Sequence, residues 1–135
     1  MYRRRKQSPA RRGSACIEAA VTLPLLLTLV FGSIEASNAI FMKQSLTIAA
    51  YESAKVLTKS GGTSSDGETR CREILASSNV PEFTFQTDPA IVDKTTARGQ
   101  KVTVLVTIPA AAGSLGPLWI YRNKTLTRSV SMVRL

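Results

Sequence analysis

The sequence has no histidine and only two cysteines among its 135 residues. Without histidine, the commonest general base and the commonest nitrogen ligand for metals are both missing. Cys16 and Cys71 lie far apart in the chain, so they form neither a metal-binding pair nor the framework of a disulfide-stapled domain. The nine acidic residues are scattered rather than paired. The glycines form no loop with the spacing needed to cradle a phosphate. No catalytic set, metal site or cofactor is therefore expected, and the chain reads as a non-enzyme.

Acidic residues are scarcest at the start. Arg3, Arg4, Arg5, Lys6, Arg11 and Arg12 precede Gly13 with no acid among them, and they supply six of the net nine positive charges. A terminal basic cluster beside an apolar run holds the N-terminus in the cytoplasm by the positive-inside rule. We read it as topological rather than as a nucleic-acid site, because no aromatic-bearing sheet signature or paired Cys/His zinc ligands follow.

From Ala19 to Ile34 the chain reads AAVTLPLLLTLVFGSI, sixteen residues without a charge. As a helix this covers about 24 Å, and extension back to Ser14 makes it long enough for a hydrocarbon core of about 30 Å. Pro24 removes one backbone donor, which membrane helices tolerate better than soluble ones. The helical pattern then continues: Met42, Leu46, Ala49, Ala50, Val56 and Leu57 share one face, with Gln44, Ser45, Glu52, Lys55 and Lys59 opposite. Gly61 and Gly62 stop the helix. Ser65 and Glu68 have capping-box spacing for a short second helix with Cys71, Ile74 and Leu75 inward.

After Pro81 the period falls to two. Phe83 and Phe85 mark one strand, Val102, Val104, Val106 and Ile108 a second, and Leu126, Val130 and Met132 a third, with Arg128 breaking the alternation. The expected fold is α+β: a long N-terminal membrane-spanning helix continuing into an amphipathic one, then a short helix and a small antiparallel sheet. The expected boundaries are a basic leader at 1–13, a membrane helix at 14–35, an amphipathic extension at 36–60, a linker at 61–67 and an outer α+β domain at 68–135. Trp119, Ile120 and Tyr121 between the last two strands are read as packing on the sheet, or as a contact with a partner or the membrane surface. Cys71 is the candidate for an intermolecular disulfide in an oxidising compartment.

Glu18 is the anomaly, since a carboxylate at the edge of a membrane segment is costly. A cut after Gly13, where no side chain obstructs a protease, would create an ammonium at Ser14, four residues from Glu18. The two groups then share one helix face. Between neighbouring helices the same pair can set axial register.

A glycine, a glutamate at the fifth residue after it, and an apolar helix together resemble the type IV pilin and pseudopilin signal. The stretch RRGSACIEAAVTLPLLLTLVFGSIEASNAIFMKQSLTIAAYESAK is similar to the TadE-like family, minor pseudopilins of the Tad (Flp) tight-adherence pilus. Arg11, Arg12, Gly13, Glu18, Leu23, Pro24, Gly32 and Glu35 carry the likeness in order. Ala19 departs from it, because pilins of this system usually carry an aromatic residue there.

The resemblance implies a single-pass protein of the bacterial inner membrane, with its N-terminus in the cytoplasm and its C-terminal domain outside. It implies processing by a prepilin peptidase at Gly13, and a part in priming or tipping an adhesive, biofilm-forming pilus. The implied partners are TadF-like and other pseudopilins or the major pilin, the inner-membrane assembly platform and the lipid bilayer. Ala15, Ala19, Ala20 and Gly32 are small enough for neighbouring helices to approach closely, and Pro24 and Glu35 belong to the same packing segment. Two alternatives stand beside this reading. One is an uncleaved anchor with an envelope-binding outer domain, and the other a secreted domain cut after Ala39.

Overall fold

The computed structural model describes residues 9–80, 82–110 and 124–135, with side chains from Gly13 onward. Helix α1 runs unbroken from Pro9 to Thr58, 50 residues or about 75 Å. Proline suits its first turn, where the missing N–H has no intrahelical acceptor to lose. It ends at two glycines with distinct roles. Gly61 takes a φ of +81°, while a Cβ on Gly62 would collide with the Val56 carbonyl oxygen.

Helix α2 (Ser64–Ser77) follows at once. Its capping box is Thr63 with Asp66, not Ser65 with Glu68: the Thr63 N–H donates to Asp66 Oδ2 (3.0 Å) and the Asp66 N–H to Thr63 Oγ1 (3.3 Å). The helix therefore opens inside the 61–67 stretch expected as linker. Ser64 is tied elsewhere, exchanging backbone and side-chain hydrogen bonds with Val92. Two anchors one residue apart leave little slack for a flexible link.

Three strands form one antiparallel sheet in the order β1 (Thr84–Asp88), β2 (Lys101–Pro109), β3 (Thr125–Val133). Val106 pairs with Phe85 on one side and Arg128 on the other. Period-two alternation sends Val102, Val104, Val106 and Ile108 into the core. On the outer face, hydroxyls pair across strands, Thr103 with Ser131 (2.8 Å) and Thr107 with Thr127 (3.1 Å). Arg128 occupies an inward register position but stays exposed, on the edge strand β3.

The inner sheet face packs on the second half of α1, where Met42, Leu46, Ala49, Ala50, Ala54 and Leu57 are buried, and on Cys71 and Leu75 of α2. The segment read as an extension of the helix is thus a wall of the core. Arg134 closes the far end. It is buried, and its Nη1 donates to the carbonyl oxygens of Leu57 (3.4 Å) and Gly62 (3.2 Å), while the Leu135 N–H reaches Thr58 O at 3.0 Å. A cation at a helix C-terminus satisfies carbonyls that have no intrahelical partner.

Candidate functional site: the N-terminal helix

Helix α1 changes character along its length. Its described side chains from Gly13 to Phe31 are all exposed, and they include Ile17, Val21, Leu23, Leu25, Leu26, Leu27, Leu29 and Val30. Such a surface is unstable in water, and the helix is long and apolar enough to cross a membrane. Thr28 and Ser33 turn their hydroxyls back onto the carbonyls of Pro24 (2.9 Å) and Val30 (2.8 Å), so neither presents an unpaired donor to an apolar surround.

Gly13, Ser14 and Glu18 lie on this bare half. Nothing comes within 4 Å of a Cβ built on Gly13. Because α1 begins at Pro9, the Gly13–Ser14 bond sits within the helix rather than ahead of it. Glycine is a weak helix former, by about 1 kcal/mol against alanine, and the bond is close to the helix end, so opening there is easy. Ser14 and Glu18 are one turn apart on a common face. Ala15, Ala19 and Ala20 are exposed around them, while Gly32 is half-buried and has open space at its Cα.

Coverage by the domain begins abruptly at Glu35, which is 2% exposed although Ile34 and Ala36 on either side are bare. The residue read as the point where the helix leaves the lipid is thus also the first residue of α1 that the domain encloses. Burial then follows the predicted face, with one correction. Ser45, assigned to the polar side, is buried, and the side opposite the core holds exposed Phe41, Ile48 and Tyr51 beside Gln44 and Lys55. That second apolar face is not evident from the sequence because its members, seven and then three residues apart, are interleaved with polar ones.

Residues 13–55 match the TadE-like protein family. The TadE-like segment thus covers the bare half of α1 and nearly all of the half that packs in the core, and stops short of α2. No curated protein and no solved structure matches the chain.

Cys71 does not serve as an outward thiol. It is fully buried on α2, and burial pushes its pKa up to about 11, against a hydrogen bond with Ser53 that favours the thiolate. An intermolecular disulfide through Cys71 is incompatible with this packing, since a second sulfur has no approach. Cys16, on the TadE-like segment, is exposed. Trp119, Ile120 and Tyr121 lie outside the described residues, as do Arg3, Arg4, Arg5 and Lys6. Arg11 and Arg12 fall on the first turns of α1. Among the described residues no cluster of potential ligands could hold a metal ion.

Proposed function

We propose that the protein is a minor pseudopilin that takes part in assembling a Tad-type adhesive pilus. The observation that carries this is the coincidence of the TadE-like match with a bare apolar half-helix bearing Gly13 and Glu18 at its start. On this reading the precursor sits in the inner membrane with its basic residues inside and its α+β domain outside. A prepilin peptidase opens the helix at Gly13 and cuts before Ser14. The new ammonium pairs with Glu18, which makes the carboxylate tolerable in lipid and fixes its register against neighbouring helices. The helix then packs laterally with sister pseudopilins or the major pilin, using the small surfaces of Ala15, Ala19, Ala20 and Gly32.

The decisive measurement is the N-terminus of the membrane-bound protein, by mass spectrometry, in cells carrying the matching peptidase. A start at Ser14 is expected. A bulky residue at Gly13 should leave the precursor intact, and Glu18→Ala should insert in the membrane but fail to enter the pilus complex. Normal incorporation of Glu18→Ala would refute the register role. The continuity of α1 through Gly13 favours one second reading, an uncleaved anchor, for which the same measurement would return Met1. A start at Ile40 would indicate a secreted domain, with a cut inside α1 just ahead of the core residue Met42.

A further inference from the structure

Helix α1 carries a regular pattern that the domain's own core does not use. Leu27, Ile34, Phe41 and Ile48 follow one another at intervals of seven, and Val30, Ser37, Gln44 and Tyr51 stand three residues after each. All eight are exposed. These are the a and d positions of a heptad repeat, the seam along which two helices supercoil. Of the residues of this stretch buried in the molecule's own core, Met42, Leu46, Ala49, Ala50, Ser53 and Leu57 occupy b, c and f, while Ser45 and Ala54 fall on the flanking e and g positions. The b, c and f positions are those a two-stranded coil leaves outward. The domain thus covers the back of the helix and leaves its seam bare.

Lipid does not reach the far end of that seam. Ile48 and Tyr51 lie 14 and 17 residues beyond Ile34, which is some 20–25 Å along the axis. The polar layer of a bilayer extends only about 5–8 Å past its hydrocarbon core. Each of the two is about half exposed, at 54% and 50%.

We infer that the seam pairs with the same seam of a second copy of this chain, in parallel and in register. This rests on the reading of α1 as a membrane-spanning helix. Insertion with one topology makes any two copies parallel and sets Ile34, Phe41 and Ile48 of each at equal depth. The seam is continuous with Leu27 and Val30 in the bare half, so the pairing begins within the bilayer. Ser37 and Gln44 lie on the seam just outside it, where polar d residues meet their equivalents and hold one register. Lys55 ends the run, and its ion pair with Glu52 (3.6 Å) shows that a carboxylate stands within reach of it at that level.

The size of the contact fits a membrane-held pair. Ile34, Phe41, Ile48 and Tyr51 offer roughly 100 Å² each at half exposure, so two copies total about 800 Å², below the ~1,200 Å² of a stable soluble complex. The bilayer supplies alignment and local concentration that the contact alone lacks.

The test is disulfide cross-linking of the full chain in lipid vesicles, with no other pilus protein present, in a Cys16→Ser background. Single cysteines are placed on the seam (Phe41→Cys, Ile48→Cys) and at an exposed position off it (Lys43→Cys). Circular dichroism confirms that each variant is folded. Mild oxidation should yield about tenfold more dimer at the seam positions than at Lys43→Cys, and adding Ile34→Glu should abolish the difference. Equal dimer at all positions, or none, would overturn the inference. So would seam cysteines that stay monomeric because the chain's own 111–123 segment protects them, or that cross-link only when a sister pseudopilin is added. Loss of the pair with processing at Ser14 and pilus entry intact would refute this inference alone. A wrong N-terminus would refute the pseudopilin reading whatever the cross-links show.

Discussion

Asp66 shows how much one residue does in a domain this small. Its carboxylate accepts hydrogen bonds from the Thr63 hydroxyl and N–H, and these hold its pKa below the ordinary 3.8. A depressed folded-state pKa means that the unfolded chain binds the proton more readily. The cap's contribution is therefore complete above about pH 4 and is lost as pH falls through the lower folded value. In denaturation series against pH, the stability gap between the wild type and Asp66→Asn should be widest near neutrality and should narrow in acid. Thr63→Ala should cost about 1 kcal/mol at pH 7. A capping box was legible as a type of signal, since Ser, Thr and acidic residues crowd 63–68. Which pair forms it was not, because Ser64 is diverted to Val92, 28 residues away.

At the scale of elements, the end of α1 and the start of α2 fit closely. A Cβ on Gly67 would stand 2.8 Å from Leu57 Cγ, so a glycine there lets the two helices meet. Gly67→Ala gains helix propensity but overpacks the contact, and a net loss of about 1–2 kcal/mol is expected in chemical denaturation. Coupling should be visible as well: Gly67→Ala with Leu57→Ala should cost less than the two changes summed. The helices and strands were themselves readable, since apolar spacing of three and four, then of two, is written into adjacent residues. The link at 61–67 was not, because serine, threonine and glycine describe a loop and a helix cap equally well.

For the whole molecule, the core shields its thiol and leaves the other cysteine bare. Cys71 should resist alkylation in the native protein and react only on unfolding, while Cys16 should react at once in detergent. Mass spectrometry of maleimide-treated protein with and without denaturant checks this. Rapid native labelling of Cys71 would contradict the packing of α2 on α1. The division of α1 into a bare half and an enclosed half is also a property of the whole. The apolar run announces the first half, whereas the enclosure of Glu35 depends on the domain folded against it.

What followed from the chain alone was local. The uncharged run from Ala19 to Ile34, the basic cluster ahead of Gly13 and the alternation of Val102 to Ile108 each depend on neighbours a few residues apart. They were enough to expect a long apolar helix, a small antiparallel sheet and a TadE-like start. Packing between distant segments decided the rest. Arg134 reaches the end of α1 across more than seventy residues of chain, β2 and β3 cover one face of α1, and Cys71 is buried in the core beside Ser53. Which face of an amphipathic helix its own domain takes, and which it leaves exposed, depends on elements far away in sequence. Only the folded chain brings them to the helix.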